Sequence, residues 1–120
     1  MSEVRLHVES LDRFAERSRE MARRLDRRGR KVSPAHVSFE SMEALLRVLT
    51  PNRWTLLRTL RGLGRSSIRA LARALARDYR GVHADVMALL EAGLVDRDDD
   101  GKVSVPWSRI TAEMAFDTAA

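Results

Sequence analysis

The feature that most constrains the fold is the order of helix-start and helix-break residues in the middle of the chain. Thr50-Pro51 predicts a helix start, because threonine caps a helix and proline fits its first position. Ser66 or Ser67 can cap a second helix. A break at residues 77–80 separates this helix from a third. Two helices joined by so short a break predict a helix-turn-helix.

A short hairpin is predicted after the third helix. Gly93 ends that helix, and Leu94-Val95 begins a strand. Residues 98–101 (Asp-Asp-Asp-Gly) predict a turn, since Asp-Gly favours the tight turn of a hairpin, and Val103 lies on the return strand. Three helices followed by a hairpin are the order of a winged helix-turn-helix, in which the third helix is the recognition helix and the hairpin is the wing.

The apolar residues of this region repeat at the three- and four-residue spacing of helix faces. Those expected to face the core are Trp54, Leu57 and Leu60 in the first helix, Ile68, Leu71, Ala72 and Leu75 in the second, and Val82, Val86, Leu89 and Leu90 in the third. Ser108 is expected to cap a final short helix that holds Ile110 and Met114.

The N-terminal part of the chain has a different pattern and is predicted to form an extension. Residues 4–8 and 36–40 alternate apolar and polar side chains as half-buried strands do, and they can pair within the chain or across a dimer. Between them, residues 11–25 carry one apolar helical face. The expected fold class is mainly α with a small β component (α+β). A strand-helix-strand extension at 1–40 precedes a winged helix-turn-helix at 41–120.

Charge is distributed unevenly along the chain. The formal net charge is +5, yet residues 47–80 hold nine arginines and a single aspartate. Residues 81–120 hold three basic and eight acidic side chains, a net charge of −5. A concentrated positive field of this kind attracts a polyanion. We therefore expect double-stranded DNA as the partner.

Residue inventory argues against catalysis. The chain has no cysteine, which excludes disulfides and Cys-based metal sites. His7, His36 and His83 lie in separate predicted elements, and no glycine-rich phosphate loop follows a strand. We therefore expect no enzymatic activity, no cofactor and no bound metal. No apolar stretch approaches the roughly 20 residues that span a bilayer, and no signal-peptide pattern opens the chain, which predicts a cytoplasmic protein without membrane contact.

Two stretches carry a resemblance to a known family: LTPNRWTLLRTL at 49–60 and SSIRALARALARDYRGVHADVMALLEAGLVDRDDDGKVSVPWSRI at 66–110, with RDYRGVHADV the most specific piece. The chain resembles the compact predicted transcriptional regulators of the MarR-like winged-helix class. The resemblance implies a DNA-binding winged helix, and some members look like antitoxins that repress their own promoter and bind a toxin. Gly81 and Ala84 depart from the family pattern, and both shorten the base-reading surface.

Phosphate contacts are expected on the second of the three helices. Arg69, Arg73 and Arg77 are four residues apart and are predicted to form one stripe opposite the apolar face. The exposed N–H groups at the Ser66 or Ser67 helix start can also bind a phosphate. The alternative is a solvated arginine-rich surface without a partner. Because no acidic side chain within this stretch can pair the arginines, we favour phosphate.

Base contacts are expected from Tyr79, Arg80 and His83 at the start of the third helix, because these residues flank its apolar face. Arginine matches the two acceptors of guanine. Tyr79 can instead pack against the turn, and His83 can be a surface histidine or bond to a backbone carbonyl. Asp78 is expected to cap the third helix, and Asp85 to restrain a nearby arginine rather than to bind cytosine.

The predicted wing combines two cations with an acidic tip. Arg97 and Lys102, at the strand ends, can contact the minor groove or the DNA backbone. Three consecutive aspartates at the tip are repelled by phosphate. We expect the tip to stay off the DNA or to face a basic protein.

The predicted function is sequence-specific double-stranded DNA binding by a transcriptional regulator that represses its own promoter. One form of this hypothesis makes the protein the antitoxin of a toxin–antitoxin pair. The alternatives are a winged helix that binds only a partner protein and a sequence-independent architectural DNA binder. A single recognition helix contacts too few base pairs for specificity, so we expect a homodimer on two half-sites. Its contact is expected in residues 1–50, and the N-terminal extension would form this dimer or bind a toxin protein.

Overall fold

The helices and strands of the computed structural model, which describes residues 2–8, 19 and 35–114, belong to two units. The helices are α1 (Met42–Val48), α2 (Pro51–Leu63), α3 (Ile68–Leu75) and α4 (Tyr79–Glu91). The strands are β1 (Glu3–Val8), β2 (Ala35–Phe39), β3 (Asp96–Arg97), β4 (Val103–Ser104) and β5 (Arg109–Ala112). Such mixed α and β structure is compatible with the expected α+β class. None of the helices in the described ranges is long and apolar enough to cross a membrane.

One unit is built on a three-stranded parallel sheet with β1 in the centre, in the order β2-β1-β5. Val4 lies opposite Ala35 on one side and Ile110 on the other. Val4 and Leu6 are completely buried, whereas Arg5 between them is exposed. The apolar–polar alternation predicted both N-terminal strands, and their pairing within the chain is confirmed.

The last described segment is a strand, so the predicted final helix with Ile110 and Met114 is wrong. The backbone N–H of Arg109 donates to the carbonyl oxygen of Ser2 at 3.2 Å, at the start of the pairing with β1. Strand β1 satisfies the backbone hydrogen bonds of this segment, whereas a helix of one or two turns fixes several residues for very few hydrogen bonds. In addition, the β-branched residues Ile110 and Thr111 favour a strand.

The two units are not consecutive along the chain, because the sheet unit contains both the N-terminal strands and β5. The predicted domain boundary at residue 40 places residues 41–120 in one domain, whereas in the structure β5 belongs to the sheet unit. The other unit consists of residues 46–108. Apart from Arg19, the helix predicted over residues 11–25 lies outside the described residues.

Helix starts in the 46–108 unit follow the predicted caps. The side chains of Thr50, Ser67 and Asp78 each accept a hydrogen bond from the backbone N–H three residues later, at 3.2, 3.1 and 3.2 Å. These bonds satisfy N–H groups that a helix leaves without an internal partner. Ala76 ends α3 in the left-handed conformation, with φ 51°, and this residue turns the chain toward α4.

The core of this unit is aliphatic. Its largest completely buried residues are Leu56, Leu60, Leu71, Leu89, Leu94, Val82, Val86, Val95 and Val103. Trp54 is 37% exposed, so its predicted burial is wrong. The buried stripe of α2 passes through Leu56, Leu57 and Leu60, and Trp54 lies at its edge.

The predicted hairpin is confirmed, with a later start than expected, at Asp96. Its turn contains Gly101 at φ 80°, a left-handed conformation that favours glycine. The backbones of Ser66 and Val103 exchange two hydrogen bonds of 2.9 and 2.8 Å. These bonds fix the hairpin to the segment that precedes α3.

Candidate nucleic-acid interface

Several of the predicted DNA-contacting residues lie on exposed surface of α3 and α4. Arg69 and Arg73 are one turn apart on α3, and both are exposed. Tyr79 and Arg80 occupy the first two positions of α4 and are also exposed, while His83, one turn later, is partly exposed. These five residues come from two consecutive helices.

Three of them form a row of contacting side chains, here called the aromatic row: Arg69, Tyr79 and His83. The Cζ atom of Arg69 lies over the Tyr79 ring, 5.4 Å from its centroid. The Tyr79 and His83 rings are 5.8 Å apart at 38°. A guanidinium over an aromatic face is attracted by the ring quadrupole. The structure therefore joins a residue predicted to bind phosphate with two predicted to contact bases.

Asp85 pairs with two arginines in what we call the Asp85 cluster (Arg53, Arg77 and Asp85). Its Oδ1 accepts from Nε of Arg53 at 3.0 Å, and its Oδ2 lies 2.9 Å from Nη2 of Arg77. Nη1 of Arg53 also donates to the carbonyl oxygens of Arg47 and Val48 at 3.1 and 3.0 Å. The prediction that Asp85 restrains an arginine is confirmed.

Arg77 does not continue the stripe of Arg69 and Arg73, so that part of the prediction is wrong. Helix α3 ends at Leu75, and the left-handed Ala76 turns the chain before Arg77 is reached. Its guanidinium is directed to the Asp85 cluster, and its Nη1 atom is buried. Four-residue spacing places side chains on one face only while the helix lasts.

Gly81 gives the Arg77 guanidinium room beside α4. A Cβ atom at this position would lie 3.3 Å from Nη2 of Arg77, closer than ordinary van der Waals contact. Gly81 and Asp85 are one turn apart on α4, so the glycine lies beside the carboxylate that pairs with the arginine. The absence of a side chain at Gly81 thus leaves room for the Arg77 guanidinium of the Asp85 cluster.

Ser66 and Ser67 have different environments at the start of α3. Ser66 is buried, its N–H donates to Val103, and its Oγ donates to the carbonyl oxygen of Ser67 at 2.9 Å. Ser66 therefore does not offer an exposed N–H to an anion, contrary to expectation. Ser67 is the cap of α3 and lies at the helix end where anions are stabilised.

An arginine from outside the hairpin binds the acidic tip of the hairpin. Nε of Arg65 donates to Oδ2 of Asp98, and Nη2 of Arg65 donates to Oδ2 of Asp100 at 2.6 Å. The hydrogen bond from Arg65 lowers the pKa of Asp98 below its ordinary value, and the backbone N–H of Lys102 acts in the same direction. Arg97 and Lys102 are exposed at the strand ends, as predicted.

A family model described as HVO_A0114 matches residues 48–112, more than half of the chain. The chain belongs to the HVO_A0114 family. No curated protein and no solved structure matches it. The segment that defines this HVO_A0114 member contains α2, α3, α4, the hairpin and β5, and so includes every candidate interface residue.

The nine arginines at 47–80 of this HVO_A0114 chain fall into two groups. Arg53, Arg65 and Arg77 form ion pairs with carboxylates. The other six are exposed and form no ion pair with any carboxylate in the described ranges; they are Arg47, Arg58, Arg61, Arg69, Arg73 and Arg80. The positive field of this segment is therefore carried by exposed side chains that have no carboxylate partner among the described residues and that a polyanion can reach.

Sequence reasoning missed Arg53 and Arg65 as partners of the acidic residues. One signal for Arg53 was available: Asp85 lies beside the buried stripe of α4, and a half-buried carboxylate needs a cation or hydrogen-bond donors. No signal in the sequence places Arg65 beside residues more than thirty positions later. Among the described residues, no group of three His, Asp or Glu side chains is arranged to hold a metal ion.

Proposed function

We propose that this HVO_A0114-family chain is a sequence-specific double-stranded DNA-binding transcriptional regulator with a winged helix-turn-helix in residues 46–108. In this proposal α4 is the recognition helix, α3 lies across the DNA backbone, and the β3–β4 hairpin is the wing. The order of the elements and the resemblance to MarR-like regulators support it.

One observation carries the proposal: the exposed surfaces of α3 and α4 bear Arg69, Arg73 and Arg80 without a carboxylate partner in the described ranges, next to Tyr79 and His83. A face that only needed solubility would intersperse the two charge signs. Phosphate contacts give DNA affinity, and a few side chains at base edges give specificity. This surface offers both kinds of group.

The proposed roles follow the environment of each side chain. Arg73 and the capped end of α3 at Ser67 contact phosphates, and Arg80 with the aromatic row faces the major groove. Arg77 is held by Asp85 and has no DNA contact in this scheme. Arg97 and Lys102 contact the DNA backbone from the wing, whose acidic tip is partly neutralised by Arg65.

We further propose that the regulator is a cytoplasmic homodimer that represses its own promoter. Two copies place two recognition helices about one helical turn apart on the DNA, which gives a useful specificity ratio. The N-terminal region supplies the contact between copies or, in an antitoxin, the surface for a toxin. Sedimentation of the full-length chain at micromolar concentration tests the dimer. A monomer would mean that the N-terminal region binds another protein instead of a second copy.

The proposal is tested by fluorescence anisotropy with duplex DNA over a range of salt concentrations. Arg73→Ala is expected to weaken binding to all sequences and to reduce the log–log salt slope by about 0.9 per lost phosphate contact. Arg109→Ala is the matched control, because it removes one exposed positive charge from the sheet unit. The control is expected to leave both the affinity and the slope unchanged.

Two outcomes favour the alternatives. A chain that binds no duplex even at low salt acts through protein contacts. A chain that binds strongly, yet selects no motif from a random duplex library, is a sequence-independent architectural binder. An unchanged slope in Arg73→Ala removes this arginine from the phosphate contacts.

A further inference from the structure

The aromatic row places a guanidinium beside the recognition helix of the proposed DNA-binding unit. Arg69 belongs to α3, but its Cζ atom lies over the ring of Tyr79, the first residue of α4, at 5.4 Å. Tyr79 is itself 44% exposed and contacts the His83 ring on the same helix. The guanidinium of Arg69 is thus associated with the first turn of α4, although its backbone lies on the preceding helix.

Stacking on an aromatic face leaves the hydrogen-bonding edge of a guanidinium available. Guanidinium donors lie in the plane of the group, whereas the cation–π attraction acts through its face. Arg69 forms no ion pair with a carboxylate in the described ranges, in contrast to Arg53 and Arg77 in the same unit. Its donors therefore have no carboxylate partner among the described residues, and attraction to the ring favours a position of the guanidinium beside α4.

A restricted planar fork suits a partner with two adjacent acceptors. Guanine presents the O6 and N7 atoms as such a pair in the major groove, and a phosphate presents two of its oxygens in the same way. Ordering the side chain before binding also reduces the entropy lost when the contact forms. Because the guanidinium lies at the first turn of α4, the helix proposed to enter the major groove, a base edge is favoured over the DNA backbone as the target of Arg69.

We propose that Arg69 contacts the O6 and N7 atoms of a guanine in the major groove, with Tyr79 as the residue that positions it. This inference rests on the proposed DNA-binding function and names the base that the site selects. Arg69, which the sequence predicted as a sequence-independent phosphate contact, thereby becomes a specificity-determining contact. Arg73, one turn later on α3, keeps the phosphate role.

Selection from a random duplex library tests the role of Arg69 and does not require a known operator. The full-length wild-type chain is expected to select a motif with a guanine position that Arg69→Lys loses, because lysine keeps the charge but not the planar fork. On the wild-type motif, Arg69→Lys is expected to bind about 5- to 150-fold more weakly, with little change on random DNA. Arg73→Lys is the matched control and is expected to keep the guanine preference.

Two substitutions of Tyr79 separate positioning from simple contact. Tyr79→Phe keeps the ring and is expected to keep the guanine preference. Tyr79→Leu removes the ring and is expected to reduce the preference for guanine by a larger factor than it reduces binding to random DNA. Thermal unfolding of each variant checks that the fold is intact, since Tyr79 is largely on the surface.

The outcomes distinguish this inference from the proposed function. If wild type and Arg69→Lys select the same motif, or if Arg69→Lys loses affinity equally on all sequences, then Arg69 contacts phosphate and the inference is overturned while DNA binding stands. If Tyr79→Leu keeps the full guanine preference, the positioning role is overturned. A wild-type chain that retains no duplex at low salt overturns the proposed function and the inference together.

Discussion

The Asp85 cluster and the aromatic row contain the same residue type in the same short stretch of sequence, yet their arginines differ in what surrounds them. In the cluster, Arg53 and Arg77 share one carboxylate and are 20% and 28% exposed. In the row, Arg69 is exposed, lies over a ring and has no ion-pair partner in the described ranges. Counting arginines predicts a positive field, but the placement of carboxylates such as Asp85 decides which of the arginines are available to a partner.

The largest expected effect comes from breaking the cluster at its shared carboxylate. Asp85→Asn leaves two partly buried guanidinium groups without their counter-charge. Losing one partner of a buried ion pair costs about 3–5 kcal/mol, and the remaining solvent exposure reduces this. We expect the free energy of unfolding to fall by about 2–3 kcal/mol in urea denaturation.

Asp99→Asn is the control for this measurement, because Asp99 lies on the exposed tip of the hairpin and forms no ion pair in the described structure. It is expected to change the free energy of unfolding by less than about 0.5 kcal/mol. Equal losses in the two variants would show that Asp85 contributes no more than any surface carboxylate.

The second prediction separates Arg77 from Arg73. Arg77→Ala removes one ion pair of Asp85, which keeps Arg53, so a loss of about 1 kcal/mol in unfolding free energy is expected. The salt slope of DNA binding is expected to stay unchanged, whereas Arg73→Ala lowers the slope and leaves stability within about 0.5 kcal/mol. A reduced slope in Arg77→Ala would mean that phosphate competes with Asp85 for this arginine.

Local signals in the sequence predicted most of the helical unit. The caps Thr50, Ser67 and Asp78 act through bonds to residues three positions away, and Gly101 supplies the turn conformation. Such features depend on neighbours in sequence and are visible without a structure. The final strand was missed because β5 is held by β1, more than a hundred residues earlier in the chain.

The candidate site was predicted less completely, for the same reason. Arg69, Tyr79 and His83 were recognised individually, but their contacts depend on how α3 meets α4. Arg77 was placed on a helix that ends two residues before it, and no residue pattern marked Ala76 as a left-handed position. Secondary-structure propensity predicts single helices and strands, whereas the contacts of a site depend on how these elements pack against one another.

The third prediction concerns Gly81, where Arg77 of the Asp85 cluster limits the size of the side chain that α4 can carry. Alanine in place of helical glycine stabilises by about 0.5–1 kcal/mol when its Cβ meets no neighbour. Here the Cβ would lie 3.3 Å from Nη2 of Arg77, so Gly81→Ala is expected to gain less than this. In the Arg77→Ala background the full gain should return, which gives a coupling of about 0.5 kcal/mol in a double-mutant cycle. Additive effects would mean that Arg77 moves aside without loss.

The smallest expected effect concerns the contact between Arg65 and the tip of the hairpin, an exposed ion pair that solvent screens. Arg65 lowers the pKa of Asp98, so the folded chain favours the carboxylate form more than the unfolded chain does. The resulting stabilisation is fully present above the ordinary aspartate pKa of about 4 and is lost as pH falls through the lowered value. Arg65→Ala should therefore unfold more easily than wild type at pH 6, and the difference between the two should shrink toward pH 2.5.

A direct measurement is the NMR chemical shift of the Asp98 carboxyl carbon as a function of pH. The midpoint of this titration should rise toward the ordinary aspartate pKa in Arg65→Ala. A midpoint that stays low in the variant would assign the shift to the backbone N–H groups of Asp100 and Lys102, which also donate to Asp98.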